Sequence, residues 1–251
     1  MSPLAVGAIV TFTVLAGAAF GAWARTRLPP HHLDEDTRDM VKVGIGFLST
    51  LAALVLGLIV ASAKTAFDTR SDEVHTAASK VTLVGEELRA LGAPGDVARA
   101  RLRQAVEERV DALWGAQATS PADLGQWPAA LAGVRASLRA LVATDEAQRE
   151  ARAKALQALD DLDRIRSVVA VATGSTVTPP LLVLLVAWMV VIAGAMNVFA
   201  PRNGTIAVFN VLCALSAASA IFLILEMDHP FGGVIRVSDA PMRAALAQLA
   251  R

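Results

Sequence analysis

The sequence predicts an all-α integral membrane protein: two membrane-spanning helices, an extramembrane helical block, then two further spans. Three observations predict it. The runs 4–24, 41–63, 181–200 and 206–225 approach the roughly 20 apolar residues that a bilayer-spanning helix needs, and none has a charge in its middle. Between the second and third runs, charge is concentrated and apolar residues recur at three and four, the helical period. Only 18% of the 251 residues are charged, against about 25% in soluble domains, so four buried helices under a polar coat are hard to build.

The first run begins "MSPLAVG", with no Lys or Arg, so it is expected to stay as a span and not to be cleaved as a signal peptide. Its Gly17 and Gly21 form a GxxxG pair. In lipid, small residues let backbones approach where no hydrophobic drive acts, either within the chain or between subunits. Trp23 and Trp188 offer amphipathic rings, and Trp23 lies at interface depth. "HHLDED" then holds His31 and His32 beside carboxylates. It is expected to be a hydrated loop, with Asp34 or Asp36 capping the second span, and not a metal site.

Lys42 and Lys64 flank the second span, where their stems can snorkel. Val74, Ala77, Ala78, Val81, Val84, Leu88 and Leu91 continue it as one stripe. The helix is therefore expected to leave the membrane as a stalk about 40 Å long at 1.5 Å per residue. "GAPGD" ends it, with Asp96 expected to cap the next helix, whose stripe is Val97, Leu102, Val106, Val110 and Leu113. Ser120 and Pro121 open a third polar helix with Leu124, Trp127, Leu131, Val134, Leu138 and Leu141. Thr144, Asp145 and Glu146 open a fourth, with Leu156, Leu159, Leu162, Ile165 and Val169. The expected organisation is a first transmembrane pair at 1–63, a helical domain with stalks at 64–179, a second pair at 180–228, and an interfacial tail at 229–251.

The tail follows "LILEMDHPFGG". Glu226 and Asp228 mark the exit of the last span, as an ion-binding pair, a partner for Arg236, or simply solvated acids. Phe231 is expected to anchor at the headgroups after the turn.

Formal net charge is +0, which argues against a nucleic-acid partner. The single cysteine, Cys213, excludes an intrachain disulfide and any cysteine-based zinc site. There is no GxSxG, P-loop, HExxH or GxGxxG, so no enzyme, catalytic residue, metal or cofactor is expected. The sequence points instead to a pore. Ser49, Ala53, Leu56, Val60 and Lys64 fall roughly on one face of the second span. Around a shared axis, Leu56 and Val60 would form an apolar neck that gates by dewetting, and Lys64 and Arg70 a positive rim favouring inorganic anions. Four spans cannot enclose such a channel alone, so a homo-oligomer in the bilayer is implied. The alternative is a non-conducting scaffold or envelope sensor whose helical domain docks a partner. The short loops place the bases Arg25, Arg27, Arg38, Lys42 and Arg202 on one side, which favours an outside helical block. A raw tally of all bases favours the reverse, so its side stays open.

Two segments, "KVGIGFLSTLAALVLGLIVASAKTAFDTRSDEV" and "APRNGT" with "FLILEMDHPFGGVIRVSDAPMRAAL", resemble a bacterial membrane family described as bestrophin-like. "LPPHHLDEDTRDMVK" follows the same pattern. The resemblance covers nearly the whole chain and implies a protein of the bacterial inner membrane with spans in two pairs and a subunit-built pore. The remotely related bestrophins are pentameric anion channels with a cytoplasmic helical block. Their pore neck carries aromatic residues where this second span offers leucine and valine.

Overall fold

The computed structural model describes residues 2–115, 126–171 and 179–251, apart from the side chains of 30, 126–128 and 165–171. Among them the only regular structure is helical: α1 (Pro3–Ala24), α2 (Glu35–Ala90), α3 (Ala93–Trp114), α4 (Gln126–Ala140), α5 (Glu146–Val171), α6 (Pro179–Phe199), α7 (Gly204–Met227) and α8 (Ala240–Leu249), with a 3-10 turn at Pro30–His32. The α1, α2, α6 and α7 helices are long and apolar enough to cross a membrane. The chain divides into two compact units, 1–66 with 176–229 and 67–175 with 230–251.

In the first unit, local chemistry starts each helix. Ser2 accepts from the Ala5 N–H at 3.3 Å, with Pro3 at the first helical position. Asp34, one of the two expected caps, accepts from the Thr37 N–H at 2.9 Å and starts α2. Asn203 accepts from the Ile206 N–H at 2.9 Å and starts α7. The α1 helix packs on α6 and α7. Val10 and Val14 meet Ala214, Ala218 and Ile221 in a small apolar core. Backbone approach does the rest. A Cβ on Gly17 would lie 2.8 Å from Val190 Cγ1 and 2.9 Å from the Val190 carbonyl, and one on Gly21 would overlap the Gly194 carbonyl. The glycine pair thus packs within the chain, one of its two expected uses.

The second unit has a larger core. Six of the seven stalk positions, Val74, Ala78, Val81, Val84, Leu88 and Leu91, are buried there, while Ala77 is half-buried at its edge. They meet Leu102, Val106 and Val110 of α3, Leu131, Val134 and Leu138 of α4, and Leu159 and Leu162 of α5. A fully buried leucine contributes roughly 1.5–3 kcal/mol by removal from water, so this stripe supplies most of the unit's cohesion. Val97 departs from its expected place and is 60% exposed, because Gly95 and Ala98 take the inner face. The break at "GAPGD" forms as expected, but Gly92 ends the turn at φ +68°, a conformation that favours glycine, and α3 starts at Ala93. Asp96 therefore lies inside the first turn, paired with Arg99 at 3.1 Å, and does not cap. For α5 the cap is Asp145, which accepts from the Gln148 N–H at 2.7 Å, while Gln148 accepts from the Thr144 N–H at 2.9 Å. The expected start at Ser120 and Pro121, with Leu124, lies outside the described residues, as do the side chains of Trp127, Ile165 and Val169.

Polar links tie these helices together. Lys80 of α2 pairs with Asp161 of α5 at 2.7 Å. Arg135 of α4 reaches Asp160 and Asp163 of α5 at 3.0 and 2.5 Å.

The tail adds a helix to this core, where an interfacial segment was expected. The Val237 N–H donates to the Pro230 carbonyl at 2.7 Å and closes a loop. Phe231 sits edge-on to Trp114, ring centroids 5.2 Å apart, and is half-buried against the helical core. Trp114 Nε1 donates to the Val237 carbonyl at 2.8 Å. Met242, Ala245 and Leu249 of α8 are buried, and Leu249 occupies the space a side chain on Gly85 would need.

Candidate pore face and bundle end

The α2 span, the expected pore element, is little covered by the rest of the chain. Ala52, Ile59 and Ala63 mark its buried side. Of the expected pore residues, Ser49, Leu56 and Val60 are half-buried at the flank, while Ala53 and Lys64 are exposed. The fully exposed line runs Gly46, Thr50, Ala53, Gly57, Ala61 and Lys64. At 100° per residue this line is rotated by about 60° from the expected face. It consists of small or polar residues, and a Cβ on Gly46 or Gly57 would meet nothing within 4 Å. Val43, Phe47, Leu54 and Leu58 form a bulky exposed line beside it.

The charged residues are distributed over both units. Lys64, Glu226 and Asp228 belong to the first and Arg70 to the second, and each is engaged by other groups of the chain. Glu226 is 3% exposed, so it is a buried carboxylate and not the solvated exit marker expected. Its neighbours Ile224 and Met227 share the covered side of α7, and that register carries Glu226 inward. Asp228 is the half-buried C-cap residue, its N–H donating to the Ile224 carbonyl at 3.1 Å.

Sequence reasoning passed over two features of the first unit. The first is Asn197, 6% exposed, whose Nδ2 donates to Asn210 Oδ1 at 3.2 Å and to the Ala193 carbonyl at 2.8 Å, while Asn210 Nδ2 donates back to Asn197 Oδ1 at 2.8 Å. The signal was present: both asparagines interrupt apolar runs and stand almost equally far from the turn at Asn203, so antiparallel helices bring them level. The second is the arginine set at the end of α1. Arg25 donates to the Ala200 carbonyl just past α6, and Arg202 to the Ala22 carbonyl of α1 at 2.8 Å. Each guanidinium thus satisfies a carbonyl left without a partner near a helix C-terminus and complements its dipole.

No curated relative and no solved structure matches the chain. A family described as Bestrophin-like domain matches residues 12–242, from the first half of α1 into α8. The apolar helices and this match together make the chain a membrane protein, and over that length it belongs to the bestrophin-like domain family.

Proposed function

We propose that the protein is a homo-oligomeric, anion-conducting channel of the bacterial inner membrane, with its pore lined by the α2 span. Membership of a bestrophin-like family supports a channel over an enzyme. The observation that carries the assignment to α2 is its exposed line of small and polar residues ending at Lys64. Lipid tails favour bulky apolar contacts, whereas a wet axis tolerates Thr50 and open glycine backbone. In this reading Ala53 and Lys64, shared by the expected face and the exposed line, face the axis, Ser49, Leu56 and Val60 border it from the half-buried flank, and Arg70 adds positive charge towards the mouth. Glu226, being buried, is not an open cation site in this reading, and Asp228 stands beside it at the end of α7.

A second reading is a non-conducting scaffold or envelope sensor whose helical domain docks a partner. The bulky line Val43, Phe47, Leu54 and Leu58 favours it, since that surface suits lipid or a partner helix. Chloride flux from liposomes holding purified protein decides between them. Flux above that of empty vesicles, raised by Leu56→Ala and made less anion-selective by Lys64→Gln, supports the channel. Flux equal to empty vesicles, or particles without a central opening, overturns it.

A further inference from the structure

At the end of α1 the chain turns back through short bonds, with Arg27 N–H donating to the Ala24 carbonyl at 2.9 Å and Thr26 Oγ1 to the Trp23 carbonyl at 2.6 Å. This turn lays the Arg27 guanidinium over the Trp23 indole, 5.3 Å from the ring centre. Trp23 is 51% exposed and its neighbour Phe20 64%, with rings 5.6 Å apart, so both aromatic rings face outward at the last turn of a membrane-length helix. That is the depth at which aromatic side chains meet lipid headgroups. Among the described residues no carboxylate pairs with Arg27. Arg202 is fixed on the adjacent residue by its bond to the Ala22 carbonyl, and its exposed guanidinium keeps further N–H groups. Two guanidiniums are therefore held at consecutive residues of one helix, beside an outward aromatic pair. Of the acids that follow in the sequence, Asp34 accepts from the Thr37 N–H and Asp39 pairs with Lys42 at 2.7 Å, and neither they nor Glu35 and Asp36 form an ion pair with Arg27.

We propose that this end of α1 binds the phosphate of an anionic phospholipid, with Arg27 and Arg202 as its donors and Phe20 and Trp23 beside its acyl chain. A guanidinium supplies paired N–H groups that match phosphate oxygens, and stacking on the indole fixes its orientation before the lipid arrives. A zwitterionic lipid brings the same phosphate but carries its own cation, which competes with the arginine.

The test uses the full chain in vesicles of zwitterionic phosphatidylcholine doped with brominated lipid, which quenches nearby indoles. Trp23 emission is isolated by subtracting the Trp23→Phe signal. Brominated phosphatidylglycerol is expected to bind beside Trp23 about fivefold more tightly than brominated phosphatidylcholine, the factor for one arginine at an anionic headgroup. Arg27→Gln is expected to bring the ratio close to one while brominated phosphatidylcholine still quenches, which reports that the variant is folded with Trp23 in lipid. Arg202→Gln is expected to lower the ratio partway. Equal quenching by the two lipids in the unaltered chain, or an Arg27→Gln variant with an unchanged ratio, overturns the proposal.

Discussion

Asn197 and Asn210 exchange side-chain amide hydrogen bonds of 3.2 and 2.8 Å across the α6–α7 hairpin, inside two runs otherwise almost wholly apolar. The two amides satisfy each other where water is scarce, and the Ala193 carbonyl takes a further amide N–H. Replacing either asparagine by leucine leaves the other unsatisfied and is expected to cost about 1–2 kcal/mol. Replacing both is expected to cost less than the sum. Reversible unfolding in mixed micelles, run as a double-mutant cycle, measures this coupling, and strictly additive losses would refute it.

Glycines in this chain divide by what surrounds them. Gly21→Ala drives a methyl group into the Gly194 carbonyl and is expected to destabilise the first unit by about 1–3 kcal/mol. Gly44→Ala meets nothing within 4 Å and is expected to be neutral or to stabilise α2 by up to about 1 kcal/mol. Thermal melts of the two variants in detergent separate these outcomes. Equal melting temperatures would contradict the close packing of α1 on α6.

The terminal helix is held by Leu249 and by the Trp114 bridge. Leu249→Ala is expected to cost roughly 2–4 kcal/mol and to expose α8 to protease first. Trp114→Phe keeps an aromatic ring against Phe231 but loses the bond to the Val237 carbonyl, at a cost of about 1 kcal/mol. Limited proteolysis with mass detection reads both, and undiminished protection of residues 240–249 in Leu249→Ala would count against the docking.

Acid is expected to weaken the helical block through Asp161. The hydrogen bond from Lys80 holds its carboxyl below the usual aspartate value of about 3.9, helped by the charges of Lys80 and Arg164 against some desolvation. A carboxyl lowered by folding contributes stability that is complete above the unfolded value and is lost as pH falls through the folded one. Stability is therefore expected to fall below about pH 4, and Lys80→Met is expected to flatten the dependence. Unfolding titrations between neutral pH and pH 3 test this. An identical pH profile in Lys80→Met would remove Asp161 as the cause.

Much of the fold was legible in the sequence, because two strong periodic signals carry it. Uninterrupted apolar length marked all four spans, and the stripe from Val74 to Leu91 identified the stalk without any turn signal to confuse it. Boundaries were less legible. Asp96 looked like a cap because acids favour that position, yet the positive φ of Gly92 had already started the helix. The tail was less legible for a related reason: Phe231, Met242 and Leu249 are equally compatible with a headgroup layer and with a protein core, and spacing does not reveal the contacts with Trp114 and the core that the structure gives them. Glu226 reads in the sequence as an exit residue, whether ion-binding, paired with Arg236 or solvated, whereas its register on α7 puts it inside. The candidate pore face was placed from spacing alone, which gives a helical stripe but not its rotation relative to neighbouring helices.

The bonds joining Arg25 to Ala200 and Arg202 to Ala22 connect residues 175 and 180 positions apart. A helix synthesised early therefore packs against two synthesised much later. At about 5–20 residues per second it waits about 10–35 s for them. Throughout that delay Gly17 and Gly21 present a bare backbone groove with no occupant. The final packing of α1 is thus a late event in the synthesis of this chain, set by the arrival of α6 and α7.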